Sequence, residues 1–216
     1  MVAITGGSTE QSVLGGWDGF ASPAERRVAE ALLECTGRWG LAKTTIEDVA
    51  REAGVSRATV YRLFPGGKQA ILDAAARAEV RSLVALISDE LREVDDLAEC
   101  LVRTIQLAVT FLDSHEALTF LRQHEPVALE QVLAFDRLDA IFEVAATVLA
   151  PMYGRFLDGG TAVTAGVWVA RVVVSYLSTP TTDADLRRRA DVERLVRTFV
   201  LPGLEARGGQ YSINLP

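Results

Sequence analysis

The chain has 216 residues, of which 49% are hydrophobic, and a formal net charge of −7. This length allows one or two domains with a buried core, and the mean hydropathy of +0.19 suggests buried interfaces beyond one small core. The only two cysteines, Cys35 and Cys100, lie far apart without a CxxC pair or a histidine at metal-ligand spacing, which favours buried free thiols over a disulfide or a metal site.

The first twenty residues contain five glycines and show no periodicity, so we expect a disordered arm. They lack a basic n-region and a long apolar stretch, so no signal peptide is predicted and we expect a cytoplasmic protein. A first helix follows, with Ser22 as its N-cap and Pro23 at its first position. It is expected to end near Trp39 and Gly40.

Two short helices that meet at a glycine turn are predicted between Thr44 and Lys68. We expect Thr44 and Glu47 to form a capping box at the start of the first of them. Gly54 stands where a helix end needs a residue tolerant of positive φ, and Ser56 can cap the second helix. Apolar residues recur on one face of the first helix: Ile46, Val49, Ala50 and Ala53. The pattern predicts a helix-turn-helix.

The outer face of the second helix decides between two interpretations. Val60, Leu63 and Phe64 should face inward, and the outward residues are Arg57, Ala58, Thr59, Tyr61 and Arg62. The first interpretation is an ordinary helical hairpin, in which this charged face is simply exposed to solvent. Here the cap, the periodicity, the turn glycine and the basic face agree, which favours insertion into a DNA major groove. Residues 21–70 carry eight Lys/Arg and six Asp/Glu, so this region is locally basic in an acidic chain, which suits local neutralisation of phosphates.

Residues 55–68, VSRATVYRLFPGGK, resemble the signature of the tetracycline-repressor (TetR) family of transcriptional regulators. The match is specific over about residues 23–81, including Trp39-Gly40 and Thr44-Thr45, and rests on helical patterning beyond. The resemblance implies a dimer formed through the last two helices. The link from Phe64 to Lys68 is one residue longer than usual in the family, which leaves open whether Gly67 or Lys68 meets a phosphate.

Six further helices are predicted, over residues 68–91, 95–112, 115–124, 126–151, 159–178 and 183–204, and no strand alternation is present. The sequence thus predicts an all-α protein of about nine helices. We expect a disordered arm (1–20), a three-helix helix-turn-helix DNA-binding domain (21–81), a helical effector-binding and dimerisation domain (82–206) and a tail (207–216).

The segment 161–178 is nearly free of charge and is long enough to be weighed as a membrane span. Arg171 near its middle would be costly in a membrane, and no basic cluster flanks it, so a buried dimer helix is favoured. Small residues would let a partner helix approach closely. The predicted dimer residues are Ala162, Ala165, Gly166, Val169, Val173, Leu195 and Phe199.

Motifs for catalysis are missing: there is no Gly-rich phosphate loop and no GxSxG, and His115-Glu116 lacks the second histidine of a zinc-protease pair. We therefore expect no enzyme, no cofactor and no metal. The favoured function is a homodimeric repressor that a hydrophobic small molecule releases from a palindromic DNA operator. The alternative is a constitutive DNA-binding dimer without an effector.

The predicted DNA contacts follow from residue chemistry. Arg57, Thr59 and Arg62 should reach base edges. Phosphate contacts are expected from Thr44, Ser56, Tyr61 and the Gly67-Lys68 helix start, and Thr45 and Ala58 complete the predicted interface.

The predicted effector pocket is lined by Leu101, Ile105, Gln106, Phe120, Arg122, His124, Phe142 and Trp168. Gln106, Arg122, His124 and Asp136 are expected to orient one end of an apolar ligand, such as an acyl chain, a steroid-like compound or a lipophilic drug. The alternative is that these side chains simply pack a solid core.

Overall fold

The computed structural model describes residues 20–127, 135–178 and 184–210, with backbone alone at 135–141, 177–178 and 208–210. These residues form nine helices and no strand, which confirms the all-α prediction. The helices are α1 (Pro23–Trp39), α2 (Ile46–Glu52), α3 (Arg57–Leu63), α4 (Gly67–Glu90), α5 (Leu97–Asp113), α6 (Glu116–His124), α7 (Phe135–Tyr153), α8 (Gly159–Ser178) and α9. Helix α9 joins Arg189–Leu195, a π-helical turn Val196–Val200 and Leu201–Gln210.

The chain forms two compact units, and the first contains residues up to 82 together with 116–125. Its core takes one fully buried side chain or more from each of the first four helices: Val28 and Leu32 from α1, Val49 from α2, Val60 from α3 and Ile71 from α4. These contacts join α1 to the helix-turn-helix pair α2 and α3. The orientation of α3, which has only seven residues, is therefore fixed by apolar packing against its neighbours.

Helix α6 belongs to this first unit, although the sequence placed it in the second domain. It packs along α1, where the backbone of Gly37 lies so close to Glu116 that an added Cβ would meet the Glu116 Cβ at 3.3 Å. Ala117 and Leu121 are the buried residues of α6. The predicted domain division is therefore corrected by one helix.

The second unit contains residues 83–115 and those from 126 onward. Its core is formed by fully buried side chains of α5, α7 and α9, including Leu101, Ile105, Tyr153, Val192 and Val196. The Tyr153 hydroxyl donates a 3.0 Å hydrogen bond to Thr104 Oγ1, which satisfies the only polar atom of this side chain. Burial raises the pKa of Tyr153, so the phenol stays neutral and keeps this bond.

Arg155, just after α7, fastens the end of α4 within the second unit. Its guanidinium donates to the carbonyl oxygens of Leu91 at 2.9 Å and Arg92 at 3.1 Å. Such carbonyls at a helix end lack a partner in the helix itself, and a cation is well suited to them. Arg155 thus acts as a C-terminal cap for α4.

Helix boundaries differ from the prediction at the end of α7 and at both ends of α9, which continues to Gln210 although its end was predicted at residue 204. Helix α7 runs through Pro151 to Tyr153, because a proline removes only the bond of its own amide and the Gly154 amide still donates to Ala150 O at 2.8 Å. Helix α9 begins at residue 189 rather than 183, because Asp185 accepts a bond from the Arg187 amide and keeps this loop out of the helix. Residues 1–20, apart from Phe20, and the tail from 211 lie outside the described residues.

Among the described helices, none is long and apolar enough to cross a membrane. This includes α8, the segment for which a membrane span was weighed.

Candidate nucleic-acid interface

The capping box of α2 lies one residue later than predicted. The Thr45 side chain accepts a bond from the Asp48 amide at 3.2 Å, and Asp48 Oδ2 accepts one from the Thr45 amide at 3.0 Å. The Thr45 hydroxyl and amide lower the pKa of Asp48, so its carboxylate stays charged at the positive end of the helix. Thr44 is instead buried, and its hydroxyl donates to Gly40 O at 2.7 Å. The predicted phosphate contact from the Thr44 side chain is therefore wrong, whereas Thr45 is exposed.

The turn between α2 and α3 follows the sequence prediction. Gly54 has a φ of 65°, and its amide donates to Arg51 O at 3.2 Å. Ser56 caps α3 by accepting a bond from the Thr59 amide at 3.1 Å. The two hydroxyls of Ser56 and Thr59 also lie 2.9 Å apart and share a hydrogen bond. Ser56 is exposed and Thr59 half-buried, so both define the edge of α3 that faces solvent.

The outer face of α3 presents two arginines and a tyrosine. Arg57, Ala58, Tyr61 and Arg62 are exposed, while Val60 and Phe64 are buried, as the periodicity predicted. The Arg57 guanidinium lies 5.6 Å from the centre of the Tyr61 ring, and its Nη1 donates to Glu47 Oε1 at 3.0 Å. Tyr61, and then Glu47, raise the pKa of Arg57, so the guanidinium remains charged. An exposed face of this kind can enter a major groove.

Lys68 has a different position from the one the sequence predicted. Its Nζ donates to Leu41 O at 2.9 Å and to Thr44 O at 3.1 Å, so the half-buried ammonium ties the loop before α2 to the start of α4. The Gly67 amide donates to Phe64 O at 2.9 Å, with a φ of 63° at Gly67. Both groups that were predicted to meet a phosphate are thus bonded within the protein.

Glu125 is a residue that the sequence analysis missed. It follows α6, and its Oε2 accepts a bond from the Ala42 amide at 3.2 Å. Its carboxylate also covers Gly40, where an added Cβ would lie only 2.1 Å from Glu125 Oε1. The loop 40–44 is therefore held by Glu125 and by Lys68. The sequence carried no signal for this contact, because the two bonded residues are 83 positions apart.

The predicted effector residues fall into both compact units. Phe120, Arg122 and His124 lie on α6 in the first unit, where the Phe120 and His124 rings stack with centroids 4.5 Å apart. The others lie in the second unit: Leu101, Ile105, Gln106, Phe142 and Trp168.

Exposure differs widely within that second group. Leu101 and Ile105 are fully buried among apolar neighbours, and the half-buried Gln106 lies on the same helix. Phe142 is nearly buried beneath the Arg171 guanidinium, which lies 4.4 Å from its ring centre. Trp168 is 54% exposed and lines the open groove between α8 and α9, away from the buried Leu101 and Ile105. The side chain of Asp136 lies outside the described residues.

The small residues of α8 face α7 of the same chain. An added Cβ at Gly166 would lie 3.0 Å from Ala146 Cα and 3.1 Å from Ala145 O. The other α8 residues predicted to meet a partner are likewise buried within one chain: Ala162, Ala165, Val169 and Val173. Their prediction as dimer contacts is wrong, because a stripe that allows close helix approach does not specify which helix approaches.

The opposite face of α8 forms an open groove with α9. Trp168 and Phe199, exposed by 54% and 77%, are its largest apolar side chains. Leu195 is half-buried and lines the same groove. Two of the predicted dimer residues, Leu195 and Phe199, are therefore brought together here with Trp168.

These features define a helix-turn-helix with exposed arginines on α3, followed in the same chain by a second helical unit. Residues 28–75 match the sequence model of the bacterial regulatory proteins of the tetR family. The resemblance to this family, read from residues 55–68, is thus confirmed for the helix-turn-helix segment.

Two relatives are named as HTH-type transcriptional regulators and match parts of this chain. An uncharacterised HTH-type transcriptional regulator of Mycobacterium tuberculosis, Rv2250c, is 35% identical over 82 residues, which cover 37% of this chain and 39% of that protein. A second one from that species, Rv1255c, is 28% identical over 159 residues, 73% of each chain. The first match thus spans about two fifths of the length of that relative.

Two solved structures share the fold. The TetR-family repressor AlkX of a Dietzia strain, implicated in biodegradation of n-alkanes, gives a TM-score of 0.65 at 22% identity, over 88% of this chain and 98% of that one. The fatty acid degradation regulator FadR of Bacillus halodurans gives 0.56 at 19% identity, over 83% and 97%.

Proposed function

We propose that the chain is a homodimeric repressor of the cytoplasm, in which two copies of α3 enter successive major grooves of a near-palindromic operator. The observation that carries this proposal is the outer face of α3, where Arg57, Tyr61 and Arg62 are exposed above a helix fixed by Val60 and Phe64. Half-sites about 34–36 Å apart, one turn of the duplex, fit a two-fold symmetric dimer of this kind.

The contacts divide by chemistry. Arg57 and Arg62 can each bind guanine O6 and N7 in the major groove, and Ala58 is placed to meet a thymine methyl. Ser56, Tyr61 and Thr45 are exposed hydroxyls suited to phosphate oxygens. Lys68 contributes indirectly, since it holds the loop from Leu41 to Thr44 that leads into α2.

The test begins with selection of a preferred duplex from random DNA by the purified protein. Arg62→Ala should weaken binding to that duplex by about 1–3 kcal/mol and relax the preference at one base position. Arg92→Ala is the control, because Arg92 is an exposed arginine just after α4, in the second unit, and pairs with Asp89. Equal binding by the parent and the Arg62 variant would contradict this assignment.

Dimerisation is proposed through the α8–α9 groove. A side chain as large as Phe199 that is 77% exposed beside a 54% exposed Trp168 is typical of an interface rather than of a free surface. A second copy with the same groove buries both aromatic pairs in an isologous contact.

The second unit is proposed to bind a hydrophobic effector that releases the operator. Its support is the apolar character of this unit and the likeness in fold to regulators connected with n-alkanes and fatty acids. One observation favours the alternative of a constitutive dimer: Leu101, Ile105 and Tyr153 are fully buried by their own neighbours. A ligand would bind only by favouring the state in which these side chains separate.

Thermal unfolding against a panel of fatty acids, alkanes and lipophilic drugs separates the two functions. An effector that binds the folded protein raises the melting temperature and, in a gel-shift assay, releases the operator. Ile105→Ala should change that affinity if the residue lines a pocket. The absence of both stabilisation and release across the panel would leave the constitutive dimer.

A further inference from the structure

Glu47 on α2 forms an ion pair with Arg57 on the outer face of α3. Its carboxylate accepts the 3.0 Å bond from Arg57 Nη1, which links α2 to the first residue of α3. The centre of the Tyr61 ring, which also belongs to α3, lies 5.6 Å from the same guanidinium. Arg57 is therefore held on two sides, whereas Arg62 makes no hydrogen bond or ion pair with the part of the chain that the structure describes.

The pair is weak enough to exchange. The two side chains are 58% and 68% exposed, and ion pairs of this kind contribute about 0–1 kcal/mol. On a duplex that offers Arg57 no suitable base, an Arg57 side chain released from Glu47 can bind the nearest phosphate instead, whatever the sequence of the DNA. Two directed bonds to one guanine can replace the bond to Glu47, because they restore the charge-assisted contact and add a second one.

We propose that Glu47 is a specificity-determining residue, which holds the Arg57 guanidinium off the phosphates and disfavours DNA that offers Arg57 no base contact. The proposal rests on the proposed function, since it needs Arg57 at the major groove. Glu47 acts through Arg57 and is a positioning residue.

The sign of the effect follows from the charges. The affinity for random DNA comes from contacts with phosphates. The Glu47 carboxylate lowers this affinity, because it repels the duplex and keeps the Arg57 guanidinium from a phosphate. On the operator, Arg57 exchanges its bond to Glu47 for bonds to a base. The free energy of these bonds offsets the repulsion between the Glu47 carboxylate and the duplex. Removing the charge at Glu47 should therefore strengthen binding to random DNA more than binding to the operator, and the ratio of the two affinities should fall.

The same helix offers a matched control. Glu52 is also an α2 carboxylate in an ion pair, but its partner is Arg38 of α1, at 3.2 Å. Glu52→Gln removes the same charge from the same helix and breaks an ion pair of similar length, whose partner lies on α1 rather than on α3. If the ratio of operator affinity to random-DNA affinity differs between Glu47→Gln and Glu52→Gln, the cause is the position of the carboxylate, because both variants have the same net charge.

The experiment measures dissociation constants for the selected operator and for a random duplex over a range of salt concentrations. Glu47→Gln should bind the random duplex on the order of three- to tenfold more tightly at low salt and the operator less than twofold differently. Glu52→Gln should leave the ratio unchanged. With Arg57→Ala in the background, Glu47→Gln should no longer alter the ratio.

Three results would overturn the inference: an unchanged ratio in Glu47→Gln, an equal change in Glu52→Gln, or a change that persists without Arg57. A parent protein that binds all duplexes alike would instead refute the proposed function itself. Melting temperatures confirm that the variants remain folded, which their exposed positions predict.

Discussion

The exposed Phe199 gives a quantitative test of the dimer. Burying a phenylalanine side chain is worth about 1.5–3 kcal/mol, and 77% of this one is exposed in the single chain. Full burial by a second copy is then worth about 1–2 kcal/mol per chain, and a two-fold interface contains the residue twice. Phe199→Ala should therefore weaken dimerisation by about 2–4 kcal/mol, or roughly thirty- to a thousandfold in the dissociation constant.

Sedimentation equilibrium over a concentration series measures this change directly. Leu86→Ala is a suitable control, because Leu86 is an exposed apolar residue of α4, outside the α8–α9 groove. The Phe199 variant should keep the parent's melting temperature when both are monomeric, since little of the side chain contacts its own chain. A Phe199→Ala protein that dimerises with the parent's constant would refute the assignment of this groove.

Three further predictions concern the single chain. Tyr153→Phe should lower the free energy of unfolding by about 0.5–1.5 kcal/mol in urea denaturation, because the buried Thr104 hydroxyl loses a donor. Lys68→Met should lower it by about 1–3 kcal/mol, since two loop carbonyls lose a charged partner, and a stability equal to the parent's would contradict the observed bonds. The folded-state pKa of Asp48 lies below its unfolded value of about 3.9, so its contribution is complete above that pH and is lost as the pH falls through the folded pKa. The melting temperature of Asp48→Asn should accordingly fall less than the parent's below about pH 4, and parallel curves would contradict this role.

Local signals in the sequence predicted the helix-turn-helix well. Gly54 and Ser56 specify their positions through backbone conformation and a cap, which depend only on neighbouring residues. The cap of α2 was displaced by one residue because Thr44 and Thr45 are chemically equivalent in sequence. Burial of Thr44 against Gly40 decides between them, and burial depends on tertiary packing.

Contacts between distant segments were predicted less well. Gly166 and its small neighbours indicated a close helix contact, but only the fold shows that α7 supplies it. The apolar faces of α8 are similar in composition, so periodicity did not separate the buried Val169 from the exposed Trp168. The bond from Ala42 to Glu125 likewise depends on how α6 returns to α1.

Because α6 belongs to the first unit, the two units cannot be completed one after the other as the chain is synthesised. When residues 1–82 have left the ribosome, α1, α2 and α3 are complete. Helix α6 is still missing, and so is Glu125, whose carboxylate holds the loop 40–44 before α2. Residues 83–115, which belong to the other unit, must emerge first. The first unit therefore cannot reach its final packing during synthesis until Glu125 has left the ribosome, and a nascent chain that ends before α6 lacks the bond between Glu125 and Ala42.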